Sequence, residues 1–132
     1  MTTSDLPAEG QPDVSTEGTE APFDDVITLS TSTGDDGAVT VTVGGEVDTF
    51  TAPVLRSSLD TQLEQQPPSL VIDLSGVQFL GSAGLAVLVE TQKSSRAREV
   101  ALRLIATTRA VTRPLEVTGL IDLFTIADST AR

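Results

Sequence analysis

From Ile27 onward the side chains alternate. Ile27, Leu29 and Thr31 stand against polar neighbours, and Val39, Val41 and Val43 stand against Thr40 and Thr42. A period of two predicts strands with one buried face, and Thr33-Gly34-Asp35-Asp36-Gly37 supplies turn residues between them, so this stretch reads as a β-hairpin. After Gly44-Gly45 the period lengthens: Ala52, Leu55, Leu59 and Leu63 recur at helical steps, Pro53 sits near the start, and Gln65-Gln66-Pro67-Pro68 ends the pattern. Leu70 to Leu74 is an apolar run broken only by Asp73, the composition of a central strand covered on both faces. Ser82 to about Arg96 repeats apolar residues at Leu85, Leu88 and Val89 and reads as a second helix. Val100 to Ile105 is a further strand. A last helical segment around Ala110 to Val117 ends at Gly119, and Thr125-Ile126-Ala127 adds a short strand. Pro114 is expected to kink that last helix or to start it. The order predicts one α/β domain, a mixed β-sheet with helices packed against it.

Charge marks where that domain begins. Residues 1–37 hold nine acids and no Lys or Arg, while the other 95 hold ten acids and all eight bases, so most of the net charge of −11 lies in the expected tail and the first hairpin turn. Residues 1–25 are rich in Thr, Ser, Gly, Pro and Glu, with too few apolar side chains to offset the entropy of ordering, and are expected to form a disordered acidic tail. The expected domain is 26–132, within the usual size of a single domain. Beyond residue 37 the charge is close to balanced, eight bases against ten acids, and shows no basic patch, so nucleic acid and anionic membrane are not expected partners. The longest apolar run is Leu85 to Val89, too short to span a bilayer, and the acidic start lacks the basic and apolar parts of a signal peptide. A cytoplasmic protein is expected.

The absence of His, Cys, Trp and Tyr narrows the chemistry. It removes the usual neutral-pH base, thiol nucleophiles, and imidazole or thiolate metal sites. No enzyme activity, cofactor or metal is expected. The informative stretch is Val71-Ile72-Asp73-Leu74-Ser75-Gly76-Val77-Gln78-Phe79-Leu80-Gly81-Ser82-Ala83-Gly84-Leu85, read as strand, short connection and helix. Ser82 falls just ahead of the expected helix, where its hydroxyl would serve as an N-cap. A nucleophile elbow fits poorly, because Leu80 stands where G-x-S-x-G needs its first glycine and no His exists to take the proton. A P-loop fits no better: Gly76 and Gly81 have the spacing, but Ser82 replaces the lysine and Val77, Phe79 and Leu80 fill the loop. What remains beside the cap is a phosphoacceptor used by another protein.

Three segments resemble the STAS domains, and among them the bacterial anti-sigma factor antagonists. Gly45-Glu46-Val47-Asp48 is similar to that family's G-E-[LV]-D, Val71 to Leu85 to its V-[IV]-D-L-S-x-V-x-[FY]-[LIM]-D-S-x-G-L, and Leu115 to Leu120 to its L-E-x-[ST]-G-L. The resemblance implies a partner-switching cycle. An unphosphorylated antagonist binds an anti-sigma factor that is also a serine kinase and so frees a sigma factor; the kinase then modifies the antagonist's serine, and a phosphatase resets it. The acceptor falls on Ser82, and the implied partner-binding residues are Glu46, Asp48, Gly81, Ser82, Ala83 and Gly84. Gly81 departs from the family, which most often has Asp there. That departure supports an alternative, a STAS subunit of a transport or lipid-trafficking complex that binds without phosphorylation. The expected oligomeric state is a monomer or weak dimer.

The neighbouring residues have plainer readings. Glu46 and Asp48 also suit an acidic turn after Gly44 and Gly45. Asp73 is expected to accept hydrogen bonds in a following turn, with Ser75 as a turn residue. Phe79 and Leu80 read as core, with room for one of them to stand exposed beside Ser82. Lys93, Arg96 and Arg98 read as a solvated helix end that complements the dipole.

Overall fold

The computed structural model describes residues 27–127; the expected acidic tail, 1–25, lies outside the described residues, as do 26 and 128–132. Strands β1 (Ile27–Thr33) and β2 (Val39–Val47) form the hairpin, followed by α1 (Ala52–Glu64), β3 (Ser69–Leu80), α2 (Ser82–Ala97), β4 (Ala101–Ile105), α3 (Arg109–Thr118), a 3₁₀ turn (Leu120–Leu123) and β5 (Thr125–Ala127). The sheet runs β1-β2-β3-β4-β5 in chain order. β1 and β2 are antiparallel and the other three pairings are parallel, which is the mixed sheet expected from the sequence.

Each parallel pairing needs a crossover, and each crossover steps in the same direction across the sheet. Right-handed connections then place all three helices on one side. Burial agrees. Val39, Val41, Val43, Leu70, Ile72, Leu102 and Leu104 join Leu55, Leu59, Leu63, Leu88, Val111 and Leu115 in one apolar cluster. The other side carries Ser30, Ser32, Thr40, Thr42, Asp73 and Arg103 at the alternate registers. Leu55, Leu59 and Leu63 are almost wholly buried, each contributing about 1.5–3 kcal/mol by leaving water. α1 and α2 also carry a half-exposed ion pair, Arg56 to Glu90 at 2.9 Å, a minor contribution in that setting.

β3 is longer than its apolar run suggested. Residues 75–80 are not a connection but a continuation of the strand, and Ser75 is a strand residue, not part of a turn. The register explains why the pattern hid this. Between Thr42 and Gly44, and again between Gly45 and Glu46, β3 advances one residue further than β2, so it carries two bulges. Buried positions in its second half are therefore Leu74, Val77 and Leu80, a spacing of three that alternation cannot reveal. Asp73 braces the first bulge by accepting from the Ser75 amide at 3.0 Å and hydroxyl at 2.6 Å.

α3 ends where expected. Gly119 has a φ of 78°, a left-handed conformation that costs a residue without a Cβ little. Pro114 neither starts this helix nor stops it but lies inside. It has no N–H for the carbonyl one turn earlier, and its own carbonyl accepts from the Thr118 hydroxyl at 2.7 Å. Pro114→Ala restores the missing donor and gives back some unfolded-state entropy, so a net gain of about 1–2 kcal/mol is expected in urea unfolding. Unchanged or lower stability would contradict an unsatisfied helix interior.

Candidate functional site

The carboxyl ends of β2 and β3 bring two distant segments to one end of the sheet. Val47 is paired with Leu80 in the register, and the Gly81 amide donates to the Val47 carbonyl at 2.9 Å. Gly84, one helical turn on, packs against the same residue. A Cβ built there would meet Val47 Cγ1 and Leu80 Cδ1, each at 2.6 Å, so only glycine lets the first turn of α2 approach so closely. Through Val47 the structure assembles all six expected partner-binding residues: Glu46 and Asp48 on one side, and Gly81, Ser82, Ala83 and Gly84 on the other.

Their environments differ. Ser82 and Glu46 are exposed, Gly81, Ala83 and Asp48 are half-buried, and Gly84 is buried. Asp48 organises the start of α1. Its Oδ1 accepts from the Phe50 amide at 2.9 Å and the Thr51 amide at 3.0 Å. Thr51, fully buried, returns the contact: its Oγ1 accepts from the Asp48 amide at 2.9 Å and donates to the Glu46 carbonyl at 2.8 Å. This reciprocal bonding satisfies amides that the turn would otherwise leave open. The Asp48 carboxylate thus works within its own chain, whereas the Glu46 side chain faces solvent.

Ser82 is not the N-cap. Gly81 holds that position with extended backbone (φ −90°, ψ −178°), its carbonyl accepts from the Leu85 amide at 3.0 Å, and Ser82 is the first residue of α2. The displacement by one residue has a chemical consequence. No side chain caps α2, and among the described residues nothing bonds to the Ser82 hydroxyl, which stands exposed at the positive end of a sixteen-residue helix.

Of the two residues read as core with room for one to stand exposed, Phe79 is the one beside Ser82: Leu80 is buried at 4% while Phe79 is 51% exposed. The second bulge is the cause, since it leaves Phe79 opposite Glu46 while Leu80 pairs with the buried Val47. No sequence signal other than the glycines around it marks which of the two is exposed. Among the described residues no group of His, Cys, Asp or Glu has the arrangement to hold a metal ion, and no helix is long and apolar enough to cross a membrane. Lys93, Arg96 and Arg98 are exposed at the far end of α2, away from Ser82.

Comparison with known proteins places this arrangement in context. The family model described as the STAS domain matches residues 30–132. The chain is 35% identical over 88 residues to the anti-sigma-F factor antagonist RsfB of Mycobacterium tuberculosis, covering 67% of this chain and 71% of that one. It is 33% identical over 100 residues to the anti-sigma-B factor antagonist of Listeria monocytogenes, covering 76% and 88%. A crystal structure of an anti-sigma factor antagonist from Mycobacterium paratuberculosis superposes with a TM-score of 0.74 at 38% identity, covering 85% of this chain and 92% of that one.

The geometry separates two hydroxyls that look alike in sequence. Thr51→Val keeps the shape of a buried side chain but strands the Glu46 carbonyl and the Asp48 amide, so it is expected to cost about 1–3 kcal/mol in chemical denaturation. Ser82→Ala removes no hydrogen bond among the described residues and introduces a good helix former, so its stability should stay within about 0.5 kcal/mol of the parent. A large loss for Ser82→Ala would restore the capping role.

Proposed function

The chain belongs to the STAS-domain family, and on that premise we propose that it is an anti-sigma factor antagonist switched by phosphorylation at Ser82. The unmodified protein binds an anti-sigma factor of the serine-kinase type and so frees a sigma factor. The kinase then transfers the γ-phosphoryl group of ATP to Ser82: an O–P bond forms at Oγ, the bond from that phosphorus to ADP breaks, and the hydroxyl proton leaves to a base on the kinase. A phosphatase returns the chain to its binding form.

The observation that carries this reading is the Ser82 hydroxyl, exposed at the start of α2 and without a hydrogen bond among the described residues. An acceptor must be free to enter another protein's active site, and a hydroxyl engaged as a cap would first have to be released. The antagonists at 35% and 33% identity support the choice of partner class. Histidine is absent from the chain, consistent with a serine that is acted upon and does not attack.

A phosphoryl group adds about −1.5 to −2 charges beside the helix amides, which favours its retention within a folded domain. Gly81 contributes no carboxylate next to it, so the modified residue meets less repulsion than the acid common in the family would impose. The change is therefore one of surface charge at the binding end, and the partner is released without unfolding.

Incubation with a purified anti-sigma-F or anti-sigma-B factor of the kinase type and Mg-ATP is expected to add one phosphate, mapped by peptide mass to Ser82 and absent from Ser82→Ala. The phosphorylated chain should melt no lower than the parent, because the added charge sits at a helix N-terminus. Binding without modification of any serine would reject the switch while leaving the antagonist; modification elsewhere would reject Ser82.

A further inference from the structure

Gly81 has no backbone reason to be glycine. Its φ and ψ are extended, a conformation open to any residue. What the missing side chain provides is space, and Phe79 fills it: a Cβ at residue 81 would lie 3.1 Å from Phe79 Cε2 and 3.4 Å from Cζ. The ring therefore rests against the backbone of the residue immediately before Ser82. Separations this short require the ring to give way by a few tenths of an ångström for alanine, and further for a larger side chain. The ring is the yielding partner because it is half exposed and free to rotate. Glu46, paired with Phe79 in the register and exposed, puts a carboxylate on the same face of the sheet as the ring.

We propose that Phe79, seated on Gly81, is the aromatic anchor of the partner interface, and that residue 81 determines partner choice by setting where that ring lies. This rests on the antagonist reading. The occupant is an anti-sigma factor surface with an apolar recess for a benzyl ring, bordered by a base that meets Glu46. An exposed aromatic ring costs little conformational entropy to immobilise and buries a large apolar area, as interface anchors do. The carboxylate on the same face makes a basic rim the matching chemistry. The same contact bears on regulation, since a phosphoryl group on Ser82 would place further negative charge beside the recess that holds the ring. In a chain with an acid at residue 81, the ring is displaced and a carboxylate takes its place, so a different surface is recognised.

Two measurements on the full chain test this. With 4-fluorophenylalanine incorporated, the chain's four Phe residues give four fluorine resonances, and Phe79→Leu identifies the one at residue 79. Gly81→Ala is expected to move that resonance and leave the other three in place; an unmoved resonance overturns the seating of the ring. In the second, calorimetric titration without ATP uses a purified anti-sigma-F factor and a purified anti-sigma-B factor as probes. Phe79→Ala and Phe79→Leu, each checked for an unchanged melting curve, are expected to weaken binding about tenfold or more for the alanine and less for the leucine. Gly81→Ala should weaken it to an intermediate degree. Binding by the parent that Phe79→Ala leaves unchanged overturns the anchor alone. Affinity that ignores Gly81→Ala while the fluorine resonance moves overturns the role of residue 81. A parent chain that binds neither probe overturns the antagonist reading and this proposal with it.

Discussion

The hydrogen bond from the Gly81 amide to the Val47 carbonyl, with the Val47 side chain packed beneath Gly84, is the contact on which the functional end depends. It closes the sheet where β2 and β3 finish, and it does so between backbone groups and a buried apolar side chain, which leave no slack. Everything proposed for this chain lies within one residue or one helical turn of that seam. Glu46 and Asp48 flank Val47, and Ser82 follows Gly81. A side chain at residue 84 would push α2 outward and carry the serine with it. Gly84 thus fits the helix to a close approach.

The same seam separates polar groups that hold the fold from those proposed to act on a partner. Asp48 and Thr51 satisfy each other and hold the start of α1, so their removal acts first on stability. Among the described residues the Glu46 and Ser82 side chains make no such bond: one presents a carboxylate on the strand, the other a hydroxyl at a helix end. A switch needs this division. If the group proposed for modification also held the fold, adding charge would unfold the domain; at an exposed hydroxyl the added charge would be confined to the surface.

Electrostatics at the scale of the molecule adds a second constraint. The net charge of −11 is concentrated in the first 37 residues, which hold nine acids and no base, while the other 95 hold ten acids and eight bases. The recognition proposed for this end of the sheet therefore rests on local features, an aromatic ring and a carboxylate on one face, more than on a general field. Arg56 pairs with Glu90 along α2, and the bases at the far end of that helix are too distant to offset charge at Ser82 within a screening length.

The sequence by itself determined the element order, the α/β class, the family resemblance and the segments that form the site. Alternation in the hairpin, the Leu55-Leu59-Leu63 stripe and the left-handed Gly119 are local properties, and a local pattern is enough to read them. Tertiary structure alone decided three things. The two bulges in β3 turned an expected connection into strand and put Phe79, not Leu80, at the surface, because a bulge breaks the period from which burial is inferred. The N-cap fell on Gly81 and not Ser82, since pairing with Val47 holds Gly81 extended until the helix begins. Pro114 was carried inside α3, where Val111 and Leu115 are both fully buried in the core; that packing outweighs one missing backbone hydrogen bond. In each case the deciding contact joins residues far apart in the chain or belongs to packing around them, so no window of sequence contains it.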